Sequence, residues 1–212
     1  MINNLKIRDA IGSIILAPTR ELAIQVHDEL VKLTKYEKLN IVAVYGGAPI
    51  HLQARDLKRA NIVVGTPGRV LDHIRRGNLP LSSVEFLVLD EADEMLNMGF
   101  IDDMEEIMKS IPEERQTLLF SATMPPQIKK LAKKYMKPDL KHIEIKKVAM
   151  TVSKIKQKYF EVNHRNKFEA LCRVLDFDTP EIAIVFCKTK KGVDELVAVS
   201  YTHLRAHETL RH

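Results

Sequence analysis

The chain has 212 residues, 45% hydrophobic and 29% charged, with a net charge of +5 and a pI near 9.1. That length supplies a buried core for one or two domains, and that balance describes a soluble globular protein rather than a disordered one. No apolar stretch reaches the ~20 residues needed to cross a bilayer, and Met1-Ile2-Asn3-Asn4-Leu5-Lys6 holds no apolar signal-peptide core.

Five short apolar runs follow in chain order, each ending abruptly in small or polar residues. Ser13-Ile14-Ile15-Leu16 leads into Ala17-Pro18-Thr19-Arg20-Glu21, and Ile41-Val42-Ala43-Val44-Tyr45 into Gly46-Gly47. Asn61-Ile62-Val63-Val64 leads into Gly65-Thr66-Pro67-Gly68-Arg69, and Phe86-Leu87-Val88-Leu89 into Asp90-Glu91-Ala92-Asp93. Thr117-Leu118-Leu119-Phe120 leads into Ser121-Ala122-Thr123. Between the runs lie segments with helical spacing: Leu22, Val26, Leu30 and Leu33; Val70, Leu71 and Ile74; Ile101, Met104, Ile107, Met108 and Ile111; Ile128, Leu131, Ala132 and Tyr135. These stripes read as core-facing. Strands alternating with helices predict an α/β fold, a mostly parallel sheet with helices on both faces. Right-handed crossovers put the C-terminal end of every strand on one edge, so the five polar clusters are expected to share one surface.

The fourth run organises the rest. Without polar alternation it reads as a strand covered on both faces, and three carboxylates arrive at its exit, the edge where open α/β sheets bind ligands. A solvated turn is the plain alternative. The sharper reading is a Walker-B-type site. Asp90 holds a magnesium ion through water, and Glu91 positions or deprotonates the water that attacks the γ-phosphate of a nucleotide. Ser121 and Thr123, ending a strand expected beside that of Asp90, are within reach of hydrogen bonds to Asp93.

Thr19 suits an N-cap with Arg20 in the first turn, where free N–H groups and a guanidinium attract phosphate oxygens. Thr66-Pro67-Gly68-Arg69 repeats the design: Thr66 caps, Pro67 fills the first helical position, and Gly68 lets a sugar-phosphate backbone approach. Gly46-Gly47 offers the same bare main chain. Each alone is equally an ordinary cap or tight turn; together on one edge they suggest a track for the phosphates of one strand, indifferent to base sequence. The basic balance agrees with a polyanionic partner. The absence of Trp and an aromatic content of 6% argue against base stacking as the main device. Arg115, Lys129, Lys130, Lys133 and Lys134 read as a solvated face.

From Lys137 the chain becomes rich in Lys, with β-like pieces such as His142-Ile143-Glu144-Ile145. We read residues 1–148 as one domain and 149–156 as a linker. A second unit over 157–199 opens with a strand at Gln157–Val162. A helix carrying Phe168, Leu171 and Leu175 follows, then a strand at Ile182–Cys187 and a helix starting at Thr189-Lys190-Lys191. Cys172 and Cys187, two thiols without a partner motif, suit a reducing cytoplasm. Residues 200–212 place His203, His207 and His212 within a stretch where the apolar rhythm lapses, and look like a non-native translated tail.

In this order, Ala17-Pro18-Thr19-Arg20-Glu21-Leu22, Gly46-Gly47, Thr66-Pro67-Gly68-Arg69, Asp90-Glu91-Ala92-Asp93 and Ser121-Ala122-Thr123 resemble the motif ladder of the DEAD-box ATP-dependent RNA helicases. Ile184-Val185-Phe186-Cys187 resembles the first motif of that family's second RecA-like domain. The resemblance, spanning roughly Ile14 to Val199, implies two RecA-like folds, ATP and magnesium as cofactors, and RNA rather than DNA on the track. It also implies coupling of hydrolysis to unwinding through Asp93, Ser121 and Thr123. The chain contains no Gly-Lys pair and hence no Gly-x-x-x-x-Gly-Lys-Ser/Thr loop to cradle phosphates, and no His-Arg-x-Gly-Arg-type motif to supply arginine fingers. The expectation is therefore an internal helicase fragment, N-terminally truncated, that neither hydrolyses ATP appreciably nor unwinds duplexes by itself. A nucleotide-independent RNA-binding module and a DNA helicase of the same superfamily are the alternatives.

Overall fold

The computed structural model describes residues 10–145 and 156–197. The chain divides into two units, residues 1–143 and 144–212.

In the first unit the five apolar runs become strands β1 (Ser13–Leu16), β2 (Ile41–Val44), β3 (Ile62–Gly65), β4 (Phe86–Leu89) and β5 (Gln116–Leu119). They form one five-stranded sheet of order β2-β3-β1-β4-β5, every pair parallel. The helices are α1 (Arg20–Leu33), α2 (Ile50–Leu57), α3 (Pro67–Arg75), α4 (Ala92–Asn97), α5 (Ile101–Ser110) and α6 (Pro126–Tyr135). From β1 the chain steps outward to β2, then returns through β3, β4 and β5 in the other direction. With right-handed crossovers the reversal sends α1 to one face and the later helices to the other.

The core confirms the split. Ile14, Leu16, Val63, Leu87 and Leu89 pack with Leu57, Val70, Met95, Met104, Ile107, Ile128 and Leu131 from α2 to α6. Their alternate neighbours Ile15, Ala17, Ile62, Val64 and Phe86 pack with Ala23 and Leu30 of α1. Period-two alternation thus feeds two cores from one set of strands. Leu33, expected on the α1 stripe, is 70% exposed. It is the last residue of the helix, where the stripe has turned away from the sheet. Helix α2 has no counterpart among the sequence-predicted helices, because its inward face carries Gln53 beside Leu57.

The second unit holds a 3-10 turn at His164–Asn166, helix α7 (Lys167–Asp178) and a helical stretch over 190–197. The strands expected at Gln157–Val162 and Ile182–Cys187 are not formed, and neither is one at His142–Ile145. Tyr159, Ile182, Ile184 and Phe186 are instead exposed. A β-pattern becomes a strand only when neighbours complete its ladder, and two segments alone fall short of an independently stable sheet. The remainder of the expected linker and the tail over 200–212 lie outside the described residues, apart from Lys156.

Candidate functional site: the C-terminal rim of the sheet

The strand ends are level. Leu16 pairs with Gly65 and Leu89, Val44 with Gly65, and Leu89 with Leu119. The ladder continues one residue further, with Ala17 N–H on the Gly65 carbonyl (3.0 Å), Thr66 on Val44 (3.1 Å), Asp90 on Leu16 (2.9 Å) and Phe120 on Leu89 (2.8 Å). All five polar clusters therefore leave from one rim, Asp90 and Arg69 included. The strand order divides that rim in two. Gly46-Gly47, Thr66 to Arg69 and Thr19-Arg20 stand over β2, β3 and β1; Asp90, Glu91, Asp93, Ser121 and Thr123 stand over β4 and β5. Three strand spacings, about 14 Å, separate the glycine pair from the β4 carboxylates.

Over β4, Asp90 is half-buried and Glu91 exposed. Glu91 adopts a left-handed conformation (φ 49°, ψ 53°), and its carbonyl accepts from Glu94 and Met95 N–H, both at 3.0 Å, to start α4. A non-glycine residue in that region costs ~1 kcal/mol or more, and such strain clusters at functional sites. Among the described residues no three His, Cys, Asp or Glu side chains gather as a metal cage. The donor set fits magnesium all the same, since that ion is commonly held by one or two carboxylates, with phosphate oxygens and water completing its shell.

Asp93 ties α4 to the β5 exit. Its Oδ2 accepts from Thr123 N–H (2.9 Å) and Thr123 Oγ1 (2.7 Å). Its own N–H donates to Ser121 Oγ (3.2 Å), and that hydroxyl donates to the Thr123 carbonyl (2.6 Å). Ser121 thus meets the Asp93 main chain, and Thr123 takes the carboxylate. Burial pushes the Asp93 carboxyl up, but the Thr123 hydroxyl and N–H, in the polar surroundings of Ser121 and Ala122, outweigh it and hold the group below its ordinary value.

Over β1, the Thr19 hydroxyl accepts from Leu22 N–H (3.2 Å), capping α1. Arg20 is exposed, with its guanidinium 4.8 Å from the centroid of Tyr45. Gly47 has φ +81°, and a Cβ there would lie 3.9 Å from Arg20 Nη1. Gly46 faces open space.

At the start of α3, Pro67 fills the first helical position as expected, while Thr66 and Arg69 differ from expectation. The Thr66 hydroxyl makes no capping bond; its carbonyl already takes Arg69 N–H (3.1 Å) and Val70 N–H (3.0 Å). Pro67 is buried, and its ring sets the helix start. Arg69 is half-buried, and its Nη1 donates to the Ala48 carbonyl and to Gln53 Oε1, both at 2.9 Å. Gly68 is exposed, with Asp103 Oδ2 3.5 Å from where a Cβ would sit. Gln53 and the buried His73 behind Arg69 belong to no motif cluster. Their only sequence signal is polar character at positions that helix geometry turns inward.

A parallel sheet wound on both faces, with acids on one half of its rim and bare main chain and arginines on the other, is a doubly wound α/β fold whose ligand edge is that rim. A family model for DEAD/DEAH box helicases matches residues 1–131, and the chain belongs to that family. It is 54% identical over 187 residues to the DEAD-box ATP-dependent RNA helicase CshA of Bacillus subtilis, covering 88% of this chain and 38% of that protein. The Geobacillus kaustophilus CshA is 52% identical over 189 residues, 88% of this chain and 40% of the relative. Among solved structures, a DEAD box protein from the hyperthermophile Methanococcus jannaschii superposes with a TM-score of 0.62 at 51% identity, covering 91% of this chain and 52% of that one. The yeast DEAD-box splicing factor Prp28 gives 0.60 at 35% identity, covering 64% and 34%. The chain thus spans less than half the length of the CshA relatives it matches.

Proposed function

We propose that this chain is part of the core of an ATP-dependent RNA helicase, in which one rim carries both nucleotide-sensing acids and RNA-backbone contacts. The observation that carries this reading is the level register of five parallel strand ends. Residues 1–148 form part of the ATP-binding domain, 149–156 the linker, and 157–199 the start of the second RecA-like domain, in the cytoplasm. Among the described residues no helix is long and apolar enough to cross a membrane.

Asp90 would hold magnesium through water beside the nucleotide's phosphates, where the ion would supply electrostatic stabilisation of the phosphoryl group. Glu91, lifted out by its left-handed backbone, orients the attacking water and takes its proton. Asp93 with Ser121 and Thr123 links the β4 exit to the β5 exit, so a displacement at one carboxylate reaches the neighbouring loop. Thr19, Arg20, Gly46, Gly47, Thr66 and Gly68 receive RNA phosphates and sugars without reading bases. Arg69 serves them from behind, and Pro67 sets the helix start.

These 212 residues hold no Gly-Lys pair and therefore no phosphate-cradling loop of their own, so the chain binds RNA without turning over ATP. Fluorescence anisotropy with labelled single-stranded RNAs of different sequence is the test. The expected result is affinity that is indifferent to sequence and weakens steeply with salt, beside negligible RNA-stimulated ATPase activity. Strong sequence preference, no binding at low salt, or robust turnover would refute it.

A further inference from the structure

Two pieces of the proposed RNA track, the glycine turn and Arg69, meet at one side chain outside every motif cluster. Gln53 lies on the inward face of α2 and is 7% exposed. Its Nε2 donates to the Tyr45 carbonyl (3.2 Å), while Oε1 accepts from Arg69 Nη1 (2.9 Å) and faces His73 Nε2 at 3.1 Å. The partners dictate the assignment. A carbonyl needs a donor and a guanidinium needs an acceptor, so the Gln53 amide has one orientation. His73, fully buried, then carries its proton on Nε2 to donate to that same oxygen, and its Nδ1 accepts from Asn78 Nδ2 (3.4 Å).

The remaining links run outward to the rim. Arg69 Nη1 also donates to the Ala48 carbonyl (2.9 Å), so one guanidinium nitrogen spans α2 and the glycine turn. Tyr45, whose carbonyl is held by Gln53, carries the Arg20 guanidinium over its ring. No buried side-chain nitrogen or oxygen among the described residues lacks a partner. A buried polar network satisfied in this way fixes one geometry, whereas an apolar residue at position 53 would leave Arg69 and His73 without their shared acceptor.

We propose that Gln53 is a positioning residue for RNA binding: it holds the Tyr45–Ala48 turn and Arg69 at one spacing, so that Gly46, Gly47 and the start of α3 meet one strand's backbone without reorganising. This rests on the reading of the rim as an RNA track. Gln53 itself is too buried to touch RNA. It acts through preorganisation, which lowers the cost of ordering the turn on binding.

The test compares Gln53→Met, which keeps volume but loses every hydrogen bond, with Gln53→Glu, which keeps the acceptor for Arg69 and His73 but loses the donor to the Tyr45 carbonyl, and Leu57→Val, a packing change on the same helix. Binding of the full 212-residue chain to a labelled single-stranded oligouridylate is measured where urea unfolding shows all variants folded. Gln53→Met is expected to weaken binding about tenfold, Gln53→Glu to recover part of that loss through Arg69 and fall between Gln53→Met and wild type, and Leu57→Val to stay within about twofold. Wild-type affinity in Gln53→Met, an equal loss in Leu57→Val, or no rescue in Gln53→Glu would overturn the proposal. In RNA-free protein, the Gly46 and Gly47 amide and Arg69 guanidinium resonances should shift in Gln53→Met and return towards wild type in Gln53→Glu; resonances unmoved in Gln53→Met would equally overturn it. If the wild-type chain binds no RNA, the reading of the rim as an RNA track falls, and the RNA-free spectra alone decide whether Gln53 positions the turn.

Discussion

Replacing Gly65 by alanine tests whether the level rim depends on close approach of the main chain at the β3 exit. The added methyl would sit 2.5 Å from the Val44 carbonyl oxygen, 2.6 Å from Val44 Cγ2 and 2.8 Å from Val70 Cγ2. Carbon contacts are comfortable at about 3.5–4.0 Å, so each neighbour must move by roughly an ångström. Val44 and Val70 are fully buried and β-branched, with little freedom to turn aside. The Val44 carbonyl is also the acceptor for Thr66 N–H at 3.1 Å, so displacing it weakens the bond that launches α3. Overpacking of ~1–3 kcal/mol plus a damaged hydrogen bond of ~1 kcal/mol gives a loss of about 3 kcal/mol, roughly a hundredfold in the folding constant. Urea unfolding followed by far-ultraviolet circular dichroism reads this directly, with the midpoint falling and the slope unchanged. Gly46→Ala is the control, since nothing lies within 4 Å of its Cβ; its stability should stay within ~0.5 kcal/mol of wild type. Gly65→Ala within ~1 kcal/mol of wild type would refute the steric reasoning.

Further outcomes follow from the same geometry. Thr19→Ala should cost ~1 kcal/mol in urea unfolding by removing the cap on Leu22 N–H, and an unchanged midpoint would contradict that role. Burial, and then the Arg69 charge, hold the His73 imidazole below its ordinary 6.5. The unfolded chain therefore takes up that proton first, and stability should fall as pH drops below about 6.5, then level off under the folded value; His73→Gln should flatten this window. Asp93 is held below 3.8, so its contribution is present above that value and lost as pH falls through the folded one. In Thr123→Val, carbon-detected NMR titration should show the Asp93 carboxyl moving back up, and an unmoved titration would remove Thr123 as its partner.

Much of the first unit was legible because its physics is local. Uninterrupted apolar runs such as Phe86–Leu89 suit strands buried on both faces, and the acids leave from the C-terminal end of that strand. Topology then brought the clusters together without any long-range information. What escaped depends on tertiary partners. Helix α2 hides because Gln53 occupies a core-facing position, and the hub that Gln53 forms with Arg69 and His73 joins residues 16 and 20 positions apart. Thr66 fits the cap pattern, but its own carbonyl satisfies the first free N–H groups. Ile182–Cys187 has every strand preference and, among the described residues, no ladder to join.

We propose that one edge of the sheet receives RNA. Titrating the isotopically labelled chain with a single-stranded oligouridylate and following amide shifts tests it most directly. Perturbations are expected at Thr19 to Glu21, Gly46, Gly47, Thr66, Gly68 and Arg69, with Gly12, Asn61 and Glu85 at the opposite strand ends silent. Shifts centred on those opposite ends, or spread evenly over both edges, would contradict it.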